Sequence, residues 1–196
     1  MERLFALVIF IFFLPLLLVL YAAVKLTSKG PFIFRQKRVG KDKKSFIIYK
    51  IRTMVEDAEN LKHKIKNQNE ADGPVFKIRH DPRYTKVGKF LSHMAIDEIP
   101  QLVNIIKGEM AFVGPRPLPI DEAAKVPKKY DKRFSVLPGM TSSWIVSGAH
   151  SLSFAKWMAL DLEYVEKKSF FYDLKIVLMT VGLIVRLTLD KITNTK

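Results

Sequence analysis

Residues Leu4 to Val24 run for 21 positions without a charge, bounded by Arg3 and Lys25. As a straight helix that length spans about 30 Å, the thickness of bilayer hydrocarbon, so the stretch reads as a membrane segment. A secretory signal is the weaker reading. The run exceeds the usual apolar core of one, and its basic flank is Arg3 alone beside Glu2. Pro15 falls near the middle, where it removes a backbone hydrogen bond and is expected to kink the helix. Two topologies stay open: a kinked single crossing, or a helix that dips in and returns to the same face. In both, the cations that follow, Lys25, Lys29, Arg35, Lys37, Arg38, Lys41, Lys43 and Lys44, mark the cytoplasmic side.

The chain is long enough, at 196 residues, for one domain plus an appendage, so we expect a membrane helix over residues 1–28 and a cytoplasmic, membrane-associated domain over 29–196. Lys and Arg number 33 against 19 Asp and Glu, a net charge of +14, which calls for an anionic partner: a membrane surface, a nucleic acid or a phosphorylated substrate. A lipid headgroup is the nearer anion for a segment beside a membrane anchor, and no nucleic-acid motif accompanies the charge. With no cysteine, disulfides, thiol catalysis and cysteine-based metal sites are excluded.

Short aromatic and β-branched runs at Phe32–Phe34 and Phe46–Tyr49, parted by Gly40-Lys41-Asp42, predict a β-hairpin. A polar helical pattern extends from Thr53 to about Asn69, another helix is expected near Val87–His93, and Asp121–Tyr130 reads as helical with an interruption at Pro127. Leu137–Thr141 reads as a turn and Ser153–Val165 as a helix. Phe170–Leu189 is apolar but carries Asp173, Lys175 and Arg186, which fits a helix on the membrane surface or one buried in the core. The fold class is mixed α/β, mostly helical with a small hairpin.

The stretch from Met94 to Pro117 holds the candidate chemistry. Proline is tolerated only in the first turn of a helix, so Pro100 places Asp97 and Glu98 at a helix start, and Gly108 supplies a stop. A helix N-terminus favours an ionised carboxylate, which can attack phosphorus or ligate a metal; capping alone would use the same residues. Downstream, Pro115 and Pro117 fix the backbone on either side of Arg116, whose planar fork suits phosphate; pairing with a carboxylate would use the same residue.

Ordered blocks along the chain carry a resemblance: Tyr49–Met54, Gly73–Lys77, Asp97–Leu102, Asn104 with Lys107-Gly108, Phe112–Pro117, Pro138–Thr141 and Leu160–Val165. In these the chain resembles the bacterial monotopic phosphoglycosyl transferases, or bacterial sugar transferases, from the apolar N-terminus to about Leu187. The resemblance implies transfer of a sugar phosphate from a UDP-sugar to polyprenyl (undecaprenyl) phosphate, releasing UMP, as the first membrane step of exopolysaccharide, O-antigen or glycoconjugate synthesis. It implies Asp97 as nucleophile, Glu98 as holder of Mg²⁺, and Arg116, Lys50 and Arg52 as cations that offset phosphate charge. It also implies that Pro15 breaks a re-entrant helix, that amphipathic helices lie at the interface, and that the domain sits on the cytoplasmic face of the bacterial inner membrane. A second copy of the chain, or downstream glycosyltransferases, stay open as partners.

The chain departs from the family pattern at a few positions. Leu14 replaces the usual Ser before the helix-breaking proline, and Ser92 the usual Arg five residues before the nucleophile. Ser142, Ile145 and Ala149 stand where a Gly, a Gln and an Arg are usual. The alternative function is a degenerate relative that binds polyprenyl phosphate or a partner enzyme as a scaffold. A membrane-tethered nucleic-acid-binding domain ranks last.

Overall fold

The computed structural model describes residues 2–78 and 80–193. The chain folds into two compact units, one built from Met1–Lys37 with Ile47–Gly108, the other from Arg38–Phe46 with Glu109–Lys196.

In the first unit, α1 (Glu2–Thr27) is helical through Pro15 and is long and apolar enough to cross a membrane. Its outer face is bare: Phe12 is 78% and Leu18 72% exposed. Its inner face is not. Leu17, Leu20 and Val24 pack with Phe32, Ile51, Val87, Leu91 and Ile96, and Ala6 near the other end is fully buried. The guanidinium of Arg3 lies against Gly108, at the far end of α4 (Leu102–Lys107). Both ends of α1 therefore touch the same unit.

The hairpin forms as expected, from β1 (Ile33–Val39) and β2 (Ser45–Ile51), its tip closed by a Gly40 N–H to Lys44 carbonyl bond of 2.9 Å. The helix expected from Thr53 is shorter, α2 (Ala58–Lys64), because the residues before it are used for pairing. Met54 forms an antiparallel bridge with Tyr84, and the Thr53 carbonyl accepts from the Thr85 N–H. In α3 (Lys86–His93) the Thr85 hydroxyl caps the N-terminus through the Gly88 N–H. Gly88 packs so closely on Thr53 that a β-carbon would collide with its carbonyl.

In the second unit, β3 (Ala111–Val113) runs parallel to β5 (Gly139–Thr141), with Ala111 opposite Gly139 and Val113 opposite Thr141. The turn expected at 137–141 is thus partly a strand. Gly139 serves close approach: a β-carbon there would meet the Gly114 nitrogen. The two-residue strand β4 (Leu118–Pro119) pairs antiparallel with Arg38 and Val39 at the end of β1. The helix expected over 121–130 shrinks to α5 (Ile120–Ala123), and a 3₁₀ segment, Lys128–Ser135, starts after Pro127. Then come α6 (Ser143–Val146), α7 (Phe154–Lys167), capped by the Ser153 hydroxyl, and α8 (Phe170–Thr193). Val113, Tyr164 and Ile176 form a buried core with Phe112, Val136 and Val177 around it. Helix α8 packs Ile176, Tyr172 and Val177 on this core but exposes other large apolar side chains, Phe170, Phe171, Leu178, Val181 and Val185 among them, so it is not a fully buried helix.

Candidate active site

Asp97 and Glu98 sit in the first turn of a 3₁₀ segment, Ile96–Gln101, that runs directly into α4. Pro100 lies inside it, and Gly108 ends α4 in the left-handed conformation at φ 78°. This is the arrangement that the positions of Pro100 and Gly108 predict. Ala95, just before the segment, is left-handed at φ 53°, an uncommon setting for a residue with a β-carbon, and turns the chain from α3 into the carboxylate pair.

Lys50 enters from β2. Its Nζ is 2.6 Å from Oε1 of Glu98 and 3.8 Å from Oδ2 of Asp97, so one cation stands between two adjacent carboxylates. The side chains are 16%, 14% and 8% exposed for Lys50, Glu98 and Asp97, so the cluster is sheltered but open to a ligand. What holds Lys50 there is Asn104, fully buried on α4. Its Nδ2 donates to the Ile47 carbonyl at 2.6 Å and its Oδ1 accepts from the Tyr49 N–H at 3.2 Å. These bonds pin the strand on either side of Ile48 and set the register of Lys50. The sequence does not by itself mark Asn104 as a site residue. The signal was there: a lone amide among Leu102, Val103, Ile105 and Ile106.

Arg52 is turned elsewhere. Buried, it donates from Nη2 to the carbonyl and hydroxyl oxygens of Ser28, each at 3.0 Å, and so fastens the chain just past α1. Its Nε and Nη1 have no hydrogen-bond partner among the described residues.

The Pro115-Arg116-Pro117 loop belongs to the second unit and is held at every residue. The Gly114 N–H donates to Thr141 at 3.0 Å, the Pro115 carbonyl accepts from Gly139 at 3.1 Å, and the Pro117 carbonyl accepts from Arg38 at 3.0 Å. The Arg116 carbonyl accepts from Nη2 of Arg133 at 2.9 Å. Arg133 is itself locked to Asp161, Nη2 to Oδ2 at 2.8 Å and Nε to the same oxygen at 2.9 Å, both side chains 1% exposed. Burial pushes the Asp161 carboxyl up to about 6, against the lowering pull of Arg133. The Arg116 guanidinium lies over the Trp144 ring at 5.8 Å. Gly40, Pro115, Arg116, Pro117, Arg133 and Pro138 line a shallow hollow. The sequence does not single out Arg133 and Trp144 as site residues; Asp161 shows only as an acid on the apolar stripe of α7.

The structure thus brings Lys50, Asp97 and Glu98 together in one unit, and Pro115, Arg116 and Pro117 in the other. Two adjacent carboxylates with a lysine between them can supply a nucleophile, and they can give a hard cation two oxygen ligands. No group of three or more His, Asp or Glu side chains suited to a metal occurs among the described residues.

Comparison with known proteins gives the arrangement its context. The family model described as bacterial sugar transferase matches residues 1–187. The galactosyl transferase CpsE of Streptococcus agalactiae serotype III is 40% identical over 156 residues, 79% of this chain and 35% of that protein. The exopolysaccharide production protein ExoY of Rhizobium meliloti is 37% identical over 184 residues, covering 92% and 81%. The undecaprenyl-phosphate galactose phosphotransferase of Salmonella typhimurium is 36% identical over 174 residues, covering 86% and 37%. The chain spans little more than a third of CpsE and of the Salmonella protein, but most of ExoY. A family model matching nearly the whole chain, together with a relative matched over most of both lengths, places it: the chain belongs to the bacterial sugar transferase family.

Proposed function

We propose that the chain is a phosphoglycosyl transferase that moves a sugar phosphate from a UDP-sugar to polyprenyl phosphate. The observation that carries this reading is the Lys50–Asp97–Glu98 cluster at a helix start. A carboxylate oxygen of Asp97 attacks the β-phosphorus of the donor, and the bond from that phosphorus to the bridging oxygen breaks, releasing UMP. A phosphate oxygen of the polyprenyl acceptor then attacks the same phosphorus. The bond to Asp97 breaks, the carboxylate is regenerated, and the product is a polyprenyl diphosphate sugar. Charge is what opposes both steps, since a carboxylate and two phosphorylated substrates are all anions. Lys50 offsets it at the carboxylate pair, and Arg116 is the phosphate-binding cation of the second unit; Arg52, buried against Ser28, serves to hold the chain instead.

The donor set suits Mg²⁺, which takes one or two carboxylates and completes its shell with substrate phosphates and water. Glu98, beside Asp97, is the residue to hold it, and the ion supplies charge neutralisation on the phosphates.

The location follows from α1 and α8. Their exposed apolar faces are too large for water and suit lipid, where a polyprenyl chain also resides. Contact of both Arg3 and Val24 with the first unit supports a helix that returns to its own side. Glu2→Cys and Lys64→Cys in this cysteine-free chain are expected to label from the same face of sealed vesicles. Labelling from opposite faces would show a true crossing.

The experiment that decides the function is UMP release from a panel of UDP-sugars with Mg²⁺ and undecaprenyl phosphate, wild type beside Asp97→Asn. Release by the wild type alone supports the transferase and names the sugar. Polyprenyl phosphate binding without turnover of any donor would favour the scaffold.

A further inference from the structure

Arg116 is reached from α7 twice. Asp161 holds Arg133, and Arg133 donates to the Arg116 carbonyl. One helical turn earlier on the same face, Trp157 stacks on Trp144, centroids 4.4 Å apart and planes 20° from parallel. The Trp144 ring in turn carries the Arg116 guanidinium. Backbone and side chain of one arginine are thus fixed by neighbouring turns of one helix. Both tryptophans are buried, Trp144 on a four-residue helix capped by the Ser142 hydroxyl.

We propose that this is a positioning device for the arginine, with Asp161, Arg133, Trp144 and Trp157 as positioning residues, and that its tryptophans report when Arg116 engages the diphosphate of a nucleoside diphosphate sugar. The proposal rests on the reading of Arg116 as a phosphate-binding cation. The chemistry favours it for two reasons. A cation held over a ring face consumes no N–H donor, so the stack orients the fork without competing with phosphate. And a phosphate drawing the guanidinium changes the field at Trp144 directly, because the cation is that ring's neighbour.

The chain holds only these two tryptophans, so its tryptophan emission reads this device and nothing else. The full-length protein in lipid nanodiscs is titrated with UDP-glucose and UDP-galactose in the presence of Mg²⁺. A saturable emission shift is expected in the wild type and in Trp157→Phe, and its loss in Trp144→Phe and in Arg116→Ala. Trp144→Leu, which removes the ring face, is expected to raise the donor KM about tenfold with kcat changed less. Trp144→Phe, which keeps a ring, recovers most of that loss. Thermal melting of each variant separates these effects from unfolding.

An equal shift in Arg116→Ala overturns the proposal, as does a wild-type KM in folded Trp144→Leu. So does a wild type that turns a donor over with no shift. Wild-type UMP release by Arg116→Ala is a different result, because it removes the phosphate-binding reading on which the proposal stands.

Discussion

Each unit contains an aspartate beside a cation, and the two settings differ in what they allow. In the first, Asp97 and Glu98 share Lys50, a point charge on a flexible stem, with all three side chains partly reachable from solvent. In the second, Asp161 is sealed with Arg133, whose planar fork spans the carboxylate and the Arg116 carbonyl. A lysine can leave its carboxylates when phosphates arrive, since its stem rotates and its ammonium takes any oxygen. An arginine bonded on two sides and buried cannot move without exposing a charge to a medium that does not solvate it. On the proposed function, the difference separates groups that would exchange partners in the reaction from groups that hold others still.

The sharpest way to break this comparison is to remove each aspartate's charge. Asp97→Asn is expected to lower UMP release by at least about a thousandfold, as loss of a covalent nucleophile does, while leaving the melting temperature near that of the wild type. Asp161→Asn should do the reverse in kind. It leaves Arg133 buried without its counter-charge, at a cost of about 3–5 kcal/mol and a melting temperature lower by roughly 10 °C. Activity in the Asp161 variant, measured where it is still folded, should fall through the donor KM. If Asp97→Asn unfolds the protein, or Asp161→Asn melts like the wild type, the division into reacting and holding groups is wrong.

This division also marks what could be read from the sequence. Pro100 and Gly108 bracket Asp97 and Glu98 so tightly that their place at a helix start was legible, because proline and glycine constrain the backbone locally. The prolines beside Arg116 told of a rigid loop for the same reason. The partners were not legible, being non-local: Asn104 reaches back to residues 47 and 49, and Arg133 joins residues 116 and 161. Gly139 misled, since a glycine after proline suggests a turn, whereas here it lets two strands approach. The long helix expected from Thr53 failed because pairing of Met54 with Tyr84 overrode a polar, helical pattern.

Lys50 gives a finer test of the exchanging side. On the proposed reading, Lys50→Met deprives the two carboxylates of a cation with which Mg²⁺ would compete, so the Mg²⁺ concentration for half-maximal activity should fall. The maximal rate should fall as well, by about tenfold, matching the roughly 1.5 kcal/mol of one charge-assisted hydrogen bond. A higher Mg²⁺ requirement in this variant would mean that Lys50 arranges the pair for the metal and does not compete with it.

The smallest effect sharpens the holding side. The Asp161 carboxyl is raised to about 6, above its unfolded value near 4, chiefly by burial. Between these values the folded protein keeps a proton that the unfolded chain has released. That contribution to stability is therefore full below about pH 4 and is lost as the pH rises through 6, with a slope below about 1.4 kcal/mol per pH unit. Asp81, in the other unit, acts in the opposite sense. Burial alone would raise its pKa, but its bonds to Arg83 outweigh that and lower it, so its contribution is lost as the pH falls. The two slopes oppose each other in the raw stability curve, and the informative quantity is the wild type minus Asp161→Asn from pH 4 to 7. A difference that falls with rising pH shows that burial outweighs Arg133. A flat difference shows that the arginine keeps Asp161 charged throughout.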